Sequence, residues 1–171
     1  AELGAFYCIN HAHDWFKDRH GFTGLDRPIQ VIVHEEDCLF NAYAYNDTRI
    51  GFGNGCGIYD FAQTADVAFH EYAHSVVHNI AELDYSAYTE AGAYNEGNAD
   101  YFSCTMTNDP NHGENMTGVF TRRCDSNDRV DRDYNGEAHS GATIYSGIMW
   151  KLRTQFGAAI ADQLAFTTMS Y

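Results

Sequence analysis

Basic residues are scarce in this chain of 171 residues, which has 10 lysines and arginines against 24 aspartates and glutamates. The resulting formal charge of −14 repels phosphate backbones, so the composition disfavours nucleic acid as a partner. No apolar run approaches the roughly 20 residues that span a bilayer, and no membrane insertion is predicted. An initiator methionine and a signal peptide are also lacking, as is typical of a processed mature domain. We expect one secreted, monomeric domain over residues 1–171.

Paired cysteines at the spacing of a zinc finger are absent as well. The five cysteines contain no Cys-x-x-Cys pair, which excludes a cysteine-rich zinc finger. For a secreted domain, two disulfides and one free thiol are expected. Pairing neighbours gives Cys38–Cys56 and Cys104–Cys124 and leaves Cys8. Five buried thiols remain an open alternative.

Hydrophobic spacing predicts helices and a few short strands. The predicted helices cover 3–20, Asp60 to about 83, 89 or 90 to 105, 139–156 and 158–168. Strands are predicted at 28–33 and near 42–45 and 49–53, the last two forming a hairpin. Residues 107–137 show little periodicity and are predicted as a long loop with a functional or ion-binding role.

The sequence His70-Glu71-Tyr72-Ala73-His74 carries the strongest chemical signal. Residues four apart share one helix face, so His70 and His74 can bind one ion while Glu71 reaches a water beside it. Glu96 on the next predicted helix offers a third ligand and leaves a fourth position open, as a catalytic zinc site requires. Asp100, one turn further, can accept the outer N–H of a zinc-bound histidine. A histidine pair of the core is the structural alternative.

Several segments resemble the thermolysin family of metallopeptidases. The resemblance rests on residues 65–74 and 92–100, where the Glu-Gly pair at 96–97 is closer to the fungalysin relatives, and on 41–43, 51–55 and 137–141. It implies an α+β, two-lobed zincin fold with a sheet lobe at about 1–60, a helical lobe at 61–171 and zinc in the cleft between them. Chains of this family continue well beyond the last matching helix, so a compact form with a more open cleft is expected.

The same resemblance implies a role for each matching residue. Zinc would be bound by His70, His74 and Glu96, and Glu71 would act as general base. Further roles are implied for residues that contact the substrate: Tyr85 and His139 as donors to the oxyanion, and Asn41 and Ala42 as binders of the substrate backbone.

Other positions leave alternatives open. Asp66 resembles a calcium ligand of the family, but a carboxylate that favours a helix start is equally consistent. Either Arg122 or Arg123 resembles the family's site arginine. The remaining histidines are interpreted as structural or exposed: His11, His13, His34, His78 and His112.

Taken together, these residues predict a zinc-dependent endopeptidase that cleaves peptide or protein substrates. Two other functions stay open. One is an aminopeptidase of the same group, although no motif that captures a free amine is found. The other is a catalytically silent, zinc-stabilised binding module, for which Glu71 would be unnecessary.

Overall fold

A computed structural model of the chain describes residues 1–36, 38–81, 83, 86–113 and 122–170. Tyr85, one of the predicted oxyanion donors, lies outside these residues. The described helices are α1 (Glu2–His20), α2 (Ala65–Ala81), α3 (Glu90–Thr107), α4 (Val130–Asp133), α5 (Ala138–Phe156) and α6 (Ala158–Thr168). The described strands are β1 (Gln30–Val33), β2 (Ala42–Tyr45), β3 (Arg49–Phe52), β4 (Asn111–His112) and β5 (Arg122–Arg123). The predicted α+β class is confirmed.

A three-stranded sheet in the order β1-β3-β2 forms one side of the molecule. The predicted hairpin is confirmed: β2 runs antiparallel to β3 with Ala44 opposite Ile50, whereas β1 runs parallel to β3. Asn46 begins the turn at a φ of 53°, a left-handed conformation that asparagine tolerates better than most residues. β2 therefore lies at one edge of the sheet.

The helix predicted from Asp60 begins five residues later, at Ala65. Asp60 instead caps a short 3₁₀ turn at Phe61–Gln63, accepting a hydrogen bond from the Ala62 N–H. Thr64 then has an extended backbone, which separates the turn from α2. Helical spacing continued through this segment, but side-chain capping stopped the helix from forming there.

Helix α2 is buried along most of its length because α1, α3 and the sheet pack around it. The aromatic core between these elements includes Phe16, Tyr72 and Phe102, all fully buried. The ring centroids of Phe16 and Phe102 are 4.9 Å apart, and those of Phe16 and Tyr72 are 6.0 Å apart. Apolar packing thus fixes the helix that carries both histidines of the motif.

The region 107–137 has more structure than the predicted loop. Residues 114–121 lie outside the described part of the chain, and on either side of them β4 pairs antiparallel with β5. The short helix α4 follows before α5 begins. Two-residue strands and a four-residue helix are too short to produce a recognisable hydrophobic period, which is why the sequence did not reveal them.

One predicted cysteine pair is bonded in the structure. Cys38 and Cys56 form a disulfide, whereas Cys8, Cys104 and Cys124 are buried thiols. The Sγ atoms of Cys104 and Cys124 nevertheless lie only 2.6 Å apart. None of the described helices is long and apolar enough to cross a membrane.

Candidate metal centre

A cleft of about 460 Å³ lies between the β2 edge of the sheet and the helices. Its lining includes the motif residues of α2, Glu96 of α3, Arg122 of β5 and His139 at the start of α5. The positions of Asn41 and Ala42 are on the opposite, strand side of the same cleft. The structure thus brings together, around one cavity, residues spread over about a hundred positions of sequence.

Three side chains converge at the centre of the cleft. His70 and His74 stand one turn apart on α2, and their Nε2 atoms are 2.9 Å apart. Glu96 reaches them from α3, with Oε2 3.4 Å from His70 Nε2 and Oε1 3.5 Å from His74 Nε2. Ligand atoms about 2.0–2.1 Å from a tetrahedral zinc lie about 3.3–3.4 Å from one another. The two distances to Glu96 match this spacing.

An oxygen atom lies close to the far side of each imidazole ring. Asn95 Oδ1 lies 3.0 Å from His74 Nδ1, and Asp100 Oδ1 lies 3.0 Å from His70 Nδ1. Both oxygens can only accept, so these contacts favour a proton on each Nδ1 and leave the Nε2 lone pairs facing each other. Sequence reasoning gave no role to Asn95, although its position next to Glu96 was a usable signal.

Three electron-rich atoms at such distances favour one positive charge among them. Burial alone would lower the pKa of His70, but Asp100 and Glu96 raise it to about 10. Burial opposes ionisation of Glu96, yet His74 and His70 lower the pKa of this carboxyl below its ordinary value. Glu96 Oε2 is buried and accepts no hydrogen bond among the described residues. A divalent cation fits this donor set, since two imidazoles and a carboxylate are ligands that zinc prefers.

Glu71 is buried and lines the same cleft as the cluster. Burial raises the pKa of its carboxyl to about 7, with a further rise from Glu96. The backbone of Ala44 in β2 approaches the carboxylate and favours its charged form, which lowers the pKa in part. Glu71 therefore has a basicity suited to accepting a proton near neutral pH.

Arg122, not Arg123, is the arginine of the cleft. Its Nε and Nη2 donate to both oxygens of Asp100 at 2.8 and 2.6 Å, and Nη2 is 3.7 Å from Glu96 Oε2. Arg123 points outward and pairs with Asp125. Against the effect of burial, Arg122 and His70 hold the pKa of Asp100 well below its usual range.

His112 is also part of this buried network, which sequence reasoning did not find. Its ring centroid is 4.8 Å from that of His70, and its Nε2 is 3.9 Å from Asp100 Oδ1. Ser103 Oγ lies 3.3 Å from its Nδ1. Burial lowers the pKa of His112 to about 3, so this imidazole is neutral. The sequence carried no signal for it, because no metal-ligand spacing links His112 to the motif.

His139 stands at the mouth of the cleft. Its Nε2 lies 3.5 Å from Glu96 Oε2, and its Nδ1 lies 2.7 Å from Glu137 Oε1. Glu137 also accepts hydrogen bonds from the backbone N–H groups of His139 and Ser140 as the cap of α5. The cap thus fixes the orientation of the imidazole relative to Glu96.

Comparison with known proteins places this geometry in a family context. A family model described as thermolysin metallopeptidase, catalytic domain, matches residues 1–78, a stretch that ends after His70, Glu71 and His74. A solved structure, the precursor of protealysin, a metalloproteinase from Serratia proteamaculans, superposes with a TM-score of 0.75 over 98% of this chain. The chain has a thermolysin-like fold. The predicted resemblance and the predicted fold are both confirmed.

The extent of this thermolysin-like match has limits. Identity to the protealysin precursor is 19%, and the match covers 65% of that chain's length. No curated protein sequence matches the chain. Glu96, Asp100, Arg122 and His139 lie beyond the 78 residues of the family match, in the part that is similar in fold.

The calcium role of Asp66 stays a prediction, and the described contacts of this residue are those of a carboxylate near a helix start. The carboxylate accepts hydrogen bonds from the backbone N–H groups of Val67, in the first turn of α2, and of Gly113. Among the described residues, Asp66 belongs to no group of three side chains that could bind a metal. The geometry agrees with the alternative of a carboxylate at a helix start.

Proposed function

We propose that the chain is a zinc-dependent endopeptidase, with His70, His74 and Glu96 as the zinc ligands. The observation that carries the proposal is the convergence of these three side chains, with the Nε2 atoms of both histidines facing Glu96, next to a buried carboxyl in an open cleft. The family match to a metallopeptidase catalytic domain supports the same activity. We further propose that residues 1–171 work as one catalytic domain.

Zinc bound by these residues supplies a Lewis acid that lowers the pKa of water and polarises a carbonyl group. Glu71 takes a proton from the attacking water and later delivers it to the leaving amine. The pKa of about 7 suits both transfers, because the carboxyl can then exist in either form near neutral pH. Asp100 and Asn95 keep the two imidazoles in the orientation that exposes Nε2 to the metal.

His139 is proposed to donate a hydrogen bond to the oxyanion of the substrate. The contact between its Nδ1 and Glu137 orients the ring, and its Nε2 already faces the cluster. Donors of this kind contribute on the order of 3 kcal/mol each in well-studied hydrolases. Tyr85 is proposed as a second donor on the strength of the sequence resemblance alone.

The free edge of β2 is proposed to bind the substrate as an added strand. The Asn41 carbonyl accepts from the Gly53 N–H, so position 41 faces β3 with its backbone. In an antiparallel pair this pattern alternates, and Ala42 and Ala44 direct their N–H and C=O groups to the open side. Ala42 is thus the backbone contact, and Asn41 contributes through its side chain.

An extracellular location is proposed on the basis of the Cys38–Cys56 disulfide, because such bonds persist mainly in oxidising compartments. The chain spans 65% of the length of the structure it matches. The activity, substrates and partners of the whole protein are therefore proposals.

The proposal is tested by metal analysis combined with digestion of an unfolded protein, with and without a chelator. We expect about one zinc per chain and chelator-sensitive cleavage. Glu71→Gln should keep zinc and lose at least about a hundredfold in rate, whereas Glu2→Gln, at an exposed position of α1, should change neither. Zinc binding with no hydrolysis by the unmodified protein would favour the silent binding module.

A peptide blocked at both ends separates the two enzymatic alternatives. Cleavage at an internal bond of this peptide supports an endopeptidase. Removal of residues only from peptides with a free amino terminus would instead establish an aminopeptidase.

A further inference from the structure

Two cysteines face each other just behind the candidate metal centre. Cys104 of α3 and Cys124, which directly follows β5, are both fully buried, with their Sγ atoms 2.6 Å apart. A bond of about 2.0 Å between them requires only a small shift. We propose that Cys104 and Cys124 form a disulfide that holds Arg122 on Asp100 and thereby positions the zinc ligand His70. This inference rests on the proposed metal site.

The spacing of the residues explains how the disulfide supports the ion pair between Arg122 and Asp100. Asp100 and Cys104 are four apart on α3, so they share a face and are separated by about 6 Å along its axis. Arg122 lies in β5 and Cys124 in the turn that follows it, and both side chains reach α3, Arg122 at Asp100 and Cys124 at Cys104. Both contacts, Arg122 with Asp100 and Cys124 with Cys104, therefore join the β5 region to α3. Cys124 Sγ even lies 3.4 Å from the Asp100 carbonyl oxygen.

Few backbone contacts fix this strand. Among the described residues, β5 consists of two residues and pairs only with β4, which is equally short, and the Arg123 side chain adds a hydrogen bond to Asn111. The ladder is extended by one hydrogen bond, from the Cys124 N–H to the Pro110 carbonyl. A covalent bond at Cys124 therefore adds the strongest restraint on the position of Arg122, two residues away.

Asp100 links the position of Arg122 to the metal site. The same carboxylate accepts two hydrogen bonds from Arg122 and contacts His70 Nδ1 at 3.0 Å. Displacement of Arg122 would free Asp100 to turn away from His70. Partners behind a metal ligand commonly change metal affinity 10- to 100-fold when altered. In this role Cys104 and Cys124 are positioning residues.

The bond forms by thiol–disulfide exchange with a small-molecule disulfide such as oxidised glutathione. One cysteine thiolate attacks the donor disulfide and releases the first donor thiol, and the second cysteine then attacks the mixed disulfide and releases the second. The two cysteines are oxidised, the donor is reduced, and both protons end on the released thiols. Hydrogen bonding with Cys124 and burial raise the pKa of Cys104 in the folded protein, so exchange is expected before folding is complete.

The first experiment counts thiols in protein that is denatured without reductant. We expect one thiol per chain, that of Cys8, and a digestion fragment in which Cys104 is linked to Cys124. Three thiols after purification in the presence of oxidised glutathione, or a different pairing of these cysteines, would overturn the proposal. This readout does not depend on zinc or on peptidase activity.

The second experiment compares zinc affinity in two double variants by competition with a chromophoric chelator. Cys104→Ala with Cys124→Ala should weaken zinc binding about tenfold. The control, Cys38→Ala with Cys56→Ala, removes a disulfide of nearly the same sequence separation, 18 residues, and should leave zinc affinity unchanged. Both variants should lower Tm by several degrees.

Each outcome has a separate meaning. Equal zinc affinity in both variants would refute the positioning role even where the linked fragment is found. If the first variant does not fold, zinc affinity is compared before and after reduction in the Cys38→Ala, Cys56→Ala variant, where Cys104–Cys124 is the bond that remains to be opened. Failure of the unmodified protein to bind zinc would overturn the proposed function instead, and the thiol count would still decide whether the disulfide exists.

Discussion

Replacing Asp100 with asparagine tests the network behind the metal site. The carboxylate is buried and contacts Arg122 through both oxygens and His70 through one. In Asp100→Asn the amide N–H₂ must face an N–H group of Arg122 or His70, and the positive charge of Arg122 loses its main partner. Breaking a buried pair from one side costs about 3–5 kcal/mol. Glu96 remains 3.7 Å from Arg122, so we expect the lower value, about 3 kcal/mol.

The stability change is measured by urea denaturation in the presence of a chelator, which separates it from metal binding. Zinc affinity, measured on the folded protein, should fall about 10- to 100-fold. The matched control is Asp125→Asn, which removes a similar bidentate contact with the neighbouring Arg123, at 2.8 Å for both bonds, but on the surface. This control should cost less than about 1 kcal/mol and leave zinc binding unchanged. Equal effects of the two substitutions would refute the argument.

Three further results are expected. Gly97→Ala would place a Cβ 2.8 Å from the Tyr145 Cβ and should destabilise the contact of α3 with α5 by about 1–3 kcal/mol; an unchanged urea midpoint would contradict this. Asp162→Ala should cost about 2–4 kcal/mol, because the buried hydroxyls of Tyr101 and Thr105 both donate to this carboxylate at 2.8 Å; a double-mutant cycle with Tyr101→Phe should show coupling, and strict additivity would count against it. Free zinc at a hundred times Kd should stabilise the protein by about 2.7 kcal/mol, and a Tm insensitive to zinc and chelator would argue against a specific site.

The arrangement of site residues could be predicted from the sequence where it depends only on the geometry of a single helix. His70, Glu71 and His74 are fixed relative to one another by helix geometry, and Glu96 with Asp100 follows the same rule on α3, so the sequence contained their arrangement. The roles assigned to these residues stay proposals until they are tested.

Features that depend on tertiary contacts were not readable from the sequence. The start of α2 moved to Ala65 because the Asp60 side chain caps a separate turn. His112 joins the site through the β4–β5 pairing rather than through spacing from the motif. The choice of Arg122 over Arg123 depends on which face of a two-residue strand meets α3. Such short elements have no period from which their orientation could be inferred.

The approach of the Ala44 backbone to Glu71 has a consequence for substrate selection. The strand edge proposed to receive the substrate also contacts the proposed base. The position of the scissile bond is therefore fixed relative to β2. Backbone groups face the open side of a strand only at every second residue, and a slip of one residue would reverse every substrate side chain. A bound chain must therefore be fully extended along β2. Native helices and sheets would resist cleavage, and hydrolysis should be confined to linkers, termini and locally unfolded segments.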